Sequence, residues 1–235
     1  MPSLNGAVVL VTGANGGIGT QFVYDALARG ASKVYATARS PREWDDDRIV
    51  PLRLDVTDPA SIAAAVEAAG DVTLVVNNAG ANPASASLLQ ITESDIRSNM
   101  EINFFGPVML ARAFAPLLAA TPGSTLVDVH SVASWYAFGG VYSAAKAALW
   151  SATNSLRLEL GPQGVHVVGV HMGYVDTAMA AHAEGPKMTP IELVQKVYAA
   201  VESDEFEVVA DATSAGVKAA LSAPLEALYP EIRGA

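Results

Sequence analysis

The sequence predicts an α/β fold: a single domain, residues 1–235, on one doubly wound parallel sheet of about seven strands with helices on both faces. Three observations carry that expectation. Strand-like and helix-like segments alternate along the 235 residues. Several strand segments are short, uninterrupted apolar runs, as needed where both faces of a sheet are covered. No linker, internal repeat or low-complexity tract breaks the alternation. With 51% hydrophobic and 16% charged residues, the composition is that of a chain with an extensive core.

The elements follow in order. Ala7–Val11 reads as the first strand. The helix after it carries Ile18, Phe22, Ala26 and Leu27 on one stripe, with Gly30 at its end. Lys33–Ala38 and Ile49–Leu54 are the next strands. Asp58-Pro59 supplies an N-cap and a first-turn proline for a helix running to Gly70. Leu74–Val76 is a fourth strand, followed by a long helical region over about 102–119. Thr125–Val129 is a fifth strand, and a helix then runs from near Tyr142 to Leu160, stopped by Gly161-Pro162. Val165–Val170 is a sixth strand. Thr189-Pro190-Ile191-Glu192 has the form of a capping box, and Phe206–Ala210 is a seventh strand.

Bulk properties exclude several functions. The chain has no cysteine, which removes disulfides, thiolate chemistry and cysteine-ligated zinc, and fits a reducing, cytoplasmic setting. A net charge of −10 argues against nucleic acid or an anionic membrane as partner. No apolar run approaches the roughly 20 residues that cross a bilayer, and the run at 7–11 lacks a basic leader. His130, His166, His171 and His182 follow no metal-site spacing, so they are expected to be core or loop histidines and no metal is expected.

Two stretches carry chemistry. In VTGANGGIG, Gly13 can turn the chain out of the first strand, Gly17 lets backbone approach a bound group, and Gly19 lets the helix pack on the sheet. Amides exposed at that helix start favour a diphosphate. In YSAAK, Tyr142 and Lys146 share one helix face a turn apart. A nearby ammonium favours the phenolate, which would bring a tyrosine of ordinary pKa about 10 toward a useful range.

TGANGGIG resembles the TGxxxGIG motif of the short-chain dehydrogenase/reductase family, whose fold is of the Rossmann type. LDVTD at 54–58, NNAG at 77–80, Asn103 within MEINFFGP, Ser131 after the fifth strand and Tyr142 to Lys146 follow in the family's order. The resemblance implies that Tyr142 donates a proton to a carbonyl oxygen as hydride arrives from a nicotinamide. Lys146 would hold the nicotinamide ribose and tune the tyrosine. Ser131 would hydrogen-bond the substrate oxygen, and Asn103 would hold a water linking Lys146 to solvent. It further implies that Gly13, Asn15, Gly17 and Ile18 border the diphosphate turn, that Asp55 and Val56 flank the adenine, and that Asn78, Ala79 and Gly80 line the ribose. Val175 and Thr177 would position the carboxamide.

The sequence departs from the family in places. It has His130-Ser131 where a serine pair is usual, a short interval from 131 to 142, and Met172 where the PGxVxT segment has proline. Gly139-Gly140 would supply the bend in the shortened loop, and Ser134 and Ser143 are rival serines. The second strand ends in ATAR with no carboxylate. Arg39 therefore suits the 2′-phosphate of NADP(H). Trp135, Tyr136, Phe138, Tyr174 and Met179 are candidate walls of a pocket for a small apolar or aromatic carbonyl. By analogy the chain would form a homodimer or homotetramer through the helices around Asn103 and Tyr142. A carbonyl reductase is expected, with an alcohol dehydrogenase working in oxidation or a non-catalytic NADPH sensor as the alternatives.

Overall fold

In β1 (Val8–Thr12), Val9 and Val11 enter one core and Leu10 the other, the two-residue period of an extended strand covered on both faces. The same logic builds the rest of the sheet. The computed structural model describes residues 2–233. It contains β2 (Lys33–Ala38), β3 (Ile49–Arg53), β4 (Leu74–Asn77), β5 (Thr125–Val129), β6 (His166–His171) and β7 (Glu207–Val209). They form one sheet in the order β3-β2-β1-β4-β5-β6-β7, with every ladder parallel. The strand order reverses between β1 and β4, which opens a crevice at their carboxyl ends.

Helices α1 (Gly17–Ala28) and α6 (Pro190–Glu202) cover one face, where Phe22, Val23, Leu193 and Tyr198 are buried. Helices α2 (Pro59–Ala68), α4 (Gly106–Ala119) and α5 (Val141–Leu160) cover the other. Leu110, Phe114 and Leu118 of α4 are fully buried there, each worth about 1.5–3 kcal/mol. The expected caps are present. Asp58 accepts from the Ala60 amide at 2.9 Å, and Thr189 and Glu192 form a reciprocal capping box.

The fourth crossover differs from expectation. Its helix begins not near residue 102 but at α3 (Glu93–Met100), capped by Thr92, whose hydroxyl accepts from the Asp95 amide at 3.1 Å. Residues Glu101–Phe105 are a π-helical turn that joins α3 to α4. The first turns are polar and nearly free of apolar periodicity, so the cap alone marks the start. By length and composition, the whole stretch Glu93–Ala119 could cross a membrane; in the fold, its α4 face packs on the sheet. After β7, α7 (Ala212–Ala220) and α8 (Leu225–Leu228) were not anticipated. Asp211 caps α7 by accepting from the Ser214 amide at 2.8 Å.

Candidate active site

A cleft of about 650 Å³ opens at the carboxyl ends of β1, β4, β5 and β6. The glycine turn forms one wall, and each glycine has a steric reason. Gly13 has φ +66°, a conformation that disfavours any side chain. A Cβ on Gly17 would stand 2.9 Å from Thr177 Cγ2, and one on Gly19 would stand 2.2 Å from the Gly13 carbonyl oxygen. Gly16 caps α1 without a side-chain bond, and no acidic residue lies in the first turn. The helix start is thus free to receive an anion.

Thr12 ties this turn to the neighbouring strand end, a role the sequence reading missed. Its hydroxyl accepts from the amides of Asn78 and Ala79, both at 2.9 Å, and Asn78 Nδ2 donates to the Thr12 carbonyl at 2.8 Å. Asn78, Ala79 and Gly80 therefore form a fixed wall opposite Gly13 and Gly17. Behind Gly80, the π-helical turn aims Asn103 at the backbone of Ala81, a use of such turns common at functional sites. Asn103 Oδ1 accepts from the Ala81 amide at 3.1 Å, and its Nδ2 donates to the Ala81 and Asn99 carbonyls at 2.9 and 3.0 Å. A Cβ on Gly80 would sit 3.0 Å from Asn103 Oδ1.

Ser131, Tyr142 and Lys146 meet on the cleft floor. The Ser131 hydroxyl caps a short helical turn by accepting from the Ala133 amide at 3.1 Å. Its rivals face elsewhere. Ser134 is buried in that turn. Ser143 donates to the Tyr136 carbonyl and accepts from the Gly139 amide. The bend falls at Gly140, with φ +57°, where a Cβ would meet the Ala86 carbonyl oxygen at 2.2 Å.

Lys146 Nζ donates to the Val129 carbonyl at 2.8 Å and lies 5.7 Å from the Tyr142 ring centroid. Burial lowers its pKa to about 8, with the Asp128 carboxyl acting in the opposite sense. The expected depression of the Tyr142 pKa by this ammonium is not found. Removal of the phenol from water pushes it up to about 12, and only the Ser131 hydroxyl opposes that shift.

The remaining candidates divide. Phe138, Tyr174 and Met179 line the cleft and expose 43%, 41% and 44% of their surface. Trp135 and Tyr136 do not line it. Trp135 turns inward to stack on His171 at 3.7 Å, and Tyr136 stacks on Tyr229 at 5.1 Å, both because the shortened loop folds back on the β6 and C-terminal elements. Val175 and Thr177 stand at the far rim, where the Met188 amide donates to Tyr174 and the Asp176 amide to Met188. Asn82 reaches across and donates to the Met179 carbonyl at 2.9 Å.

Asn15, Arg39, Asp55 and Val56 lie outside the cleft lining, beyond the ends of β1, β2 and β3. Arg39 is exposed. Asn15 pins the loop beside it by donating to the Ser40 carbonyl at 2.8 Å. Arg42 is engaged by Thr20 and by the Trp44 ring. Asp55 accepts from the amide and hydroxyl of Thr57, which with the charges of Arg39 and Arg53 hold its carboxyl below the usual range. Val56 packs against Gly106, whose Cβ would stand 2.9 Å from Val56 Cγ2.

A family model described as short chain dehydrogenase matches residues 7–187. A short-chain dehydrogenase of Penicillium crustosum, PC-15, is 40% identical over 187 residues, covering 72% of this chain and 66% of that protein. The chain thus spans just under two thirds of the length of such curated relatives. The crystal structure of a short chain dehydrogenase from Burkholderia cenocepacia in complex with NADP superposes with TM-score 0.90 at 34% identity, covering 97% of this chain and 98% of that one. A short-chain dehydrogenase from Sphingobium yanoikuyae in complex with NADPH gives TM-score 0.81 at 26% identity, covering 97% of each chain.

Proposed function

Because this chain belongs to the short chain dehydrogenase family, we propose that it is an NADPH-dependent reductase converting a ketone or aldehyde to an alcohol, with both sites in one domain. The observation that carries this reading is the convergence of Ser131, Tyr142 and Lys146 beside a turn in which Gly13, Gly17 and Gly19 leave no room for side chains. Bound NADPH supplies a hydride to the carbonyl carbon. The Ser131 hydroxyl donates to the carbonyl oxygen as negative charge develops. Tyr142 then gives that oxygen its proton. Lys146 holds the nicotinamide ribose, and Asn103 anchors Ala81 beside it and carries the water through which the proton is replaced.

The bare start of α1, with Gly13, Gly17 and Ile18, takes the diphosphate. Asn78, Ala79 and Gly80 flank the ribose, Asp55 and Val56 the adenine, and Val175 and Thr177 the carboxamide. Arg39 takes the 2′-phosphate, on a loop steadied by Asn15. Replacing Arg39 with alanine is expected to lower kcat/KM for NADPH about tenfold or more, equivalent to about 1.4 kcal/mol, and to leave that for NADH nearly unchanged. An equal loss with both cofactors would remove Arg39 from the phosphate site.

A phenol near 12 keeps its proton at neutral pH, the form in which it can give a proton to the reduced carbonyl oxygen. Lys146, near 8, is charged below that pH and neutral above it. The kcat/KM for ketone reduction should therefore stay level through neutral pH and fall as pH rises through about 8. A pH profile flat to about pH 10 would contradict the roles given to Lys146.

Phe138, Tyr174 and Met179 present an apolar wall, which fits a small apolar or aromatic carbonyl. Ala144, Ala148 and Trp150 of α5 keep partial exposure and would join copies into a homodimer or homotetramer, in a cytoplasmic setting. The direct test follows NADPH and NADH consumption against aliphatic, aryl and β-keto ester substrates. Turnover with NADPH supports the reductase. Tight NADPH binding without turnover on any ketone or alcohol would make the chain a sensor.

A further inference from the structure

His130, which replaces the first serine of the usual pair, heads a buried row of side chains behind Ser131. Its Nδ1 lies 3.1 Å from Nε2 of His171, and its Nε2 lies 2.9 Å from the Thr153 hydroxyl. That hydroxyl is 2.6 Å from Oδ2 of Asp128. At the other end, His171 Nδ1 is 3.3 Å from the carbonyl oxygen of Ser131. Asp128, Thr153, His130 and His171 are each 2% exposed or less, so no water relieves two acceptors set face to face; the Ser131 carbonyl also accepts from the Ser134 amide at 3.0 Å.

The hydrogens can be counted. The Ser131 carbonyl only accepts, and Oδ1 of Asp128 already accepts from Asn77 Nδ2 at 2.8 Å. Four links need four hydrogens. An ionised Asp128 with two neutral imidazoles leaves three, one each from Thr153, His130 and His171. One link would then set two acceptors face to face. A proton on Asp128 Oδ2 completes the row: Asp128 donates to Thr153, Thr153 to His130 Nε2, His130 Nδ1–H to His171 Nε2, and His171 Nδ1–H to Ser131. The Leu149 carbonyl, 2.9 Å from the Thr153 hydroxyl, is a competing acceptor and only adds to the demand for hydrogen.

The charges around the row divide: Lys146 and Arg157 also favour an ionised Asp128, and burial outweighs them. Lys146 and Arg157 of α5 and Lys218 of α7 oppose a cation on the histidines, while Glu207 of β7, paired with Lys218, stands 3.6 Å from His171 Nε2. Burial holds the His130 pKa well below its ordinary value and that of His171 at about 3, and it raises that of Asp128.

We propose that this row holds one buried proton, resident on Asp128, and that it fixes the Ser131 backbone whose hydroxyl meets the substrate. Asp128, Thr153, His130 and His171 are then positioning residues for the reductase, which rests on the role given to Ser131 above.

Long-range proton–nitrogen spectra of protein with isotopically labelled histidine test it directly. Both rings should read neutral, with Nδ1 protonated and Nε2 bare, from about pH 5 to 8. An Nε2–H on either ring overturns the proposal. Asp128→Asn, whose amide can donate to Thr153 as the acid does, should keep both tautomers and leave the alkaline limb where the parent enzyme has it. Loss of the tautomers or movement of that limb in Asp128→Asn also overturns it. Asp128→Leu removes one link and one hydrogen together, so it should keep both tautomers, but with Thr153 no longer anchored it should lower kcat about tenfold or more, with NADPH affinity within about twofold. The spectra need no turnover: Nδ1–H rings in a chain that reduces no carbonyl would end the reductase reading and leave the buried proton standing. An active enzyme with Nε2–H rings would do the reverse.

Discussion

Replacing Tyr142 with phenylalanine is expected to lower kcat for ketone reduction by about 10²–10⁴-fold, the range of a lost general acid, with NADPH affinity within about twofold. The ring is what packs: Gly139 lies against its edge and Lys146 stands beside its face. Phenylalanine keeps those contacts and removes only the hydroxyl, the group proposed to give the substrate oxygen a proton. Single-turnover NADPH oxidation measures the first effect, and a fluorescence titration with NADPH measures the second. A variant within about tenfold of the parent kcat would show that another group, or water, delivers the proton.

Gly19→Ala should act at the other end of the cleft and through sterics alone. Its Cβ would stand 2.2 Å from the Gly13 carbonyl oxygen, 2.8 Å from the Gly13 carbonyl carbon and 2.9 Å from Ala14 Cα. All three are backbone atoms, so no rotamer change relieves the clash and either α1 or the turn must move. Overpacking of this kind costs about 1–3 kcal/mol. Because the moved atoms are the ones proposed to border the diphosphate, NADPH Kd should rise about tenfold or more. Thermal unfolding and a binding titration read the two effects. Parent-like Tm together with parent-like Kd would mean the turn accommodates a methyl group freely.

Much of this was legible in the sequence, for identifiable reasons. Strands of a doubly wound parallel sheet are unbroken apolar runs, so β2 and β5 stand at their expected residues. Asp58-Pro59 and Thr189-Pro190-Ile191-Glu192 announce helix starts because caps act through neighbours in sequence. The start of α3 has its own cap at Thr92 and Asp95, yet no apolar stripe announces it, because the eight residues of the helix bury only Asn99. The site was legible where residues act at fixed local spacing, as Tyr142 and Lys146 do. It was not where distance in the chain is large. Nothing near Thr12 reveals that its hydroxyl receives two amides from 78 and 79. Nothing near Trp135 reveals that His171 will stack beneath it and draw it away from the cleft. The tyrosine shift is illegible for the same reason: helix spacing gives the distance to a lysine but not the depth of burial, and burial decides the sign.

The all-parallel sheet also constrains how the site can come into being. No ladder in it can close from a hairpin; Val9 pairs with Leu74, and Leu74 with Thr125. Each pairing must gather a long intervening loop before any contact rewards it, which makes such chains slow to fold. The cleft takes its walls from four strand ends spread from Gly13 to Thr177. A nascent or half-folded chain therefore lacks at least one wall of it. Affinity for the dinucleotide should arise in one step with the last ladder, and from then on ligand binding draws the folding equilibrium toward the native state.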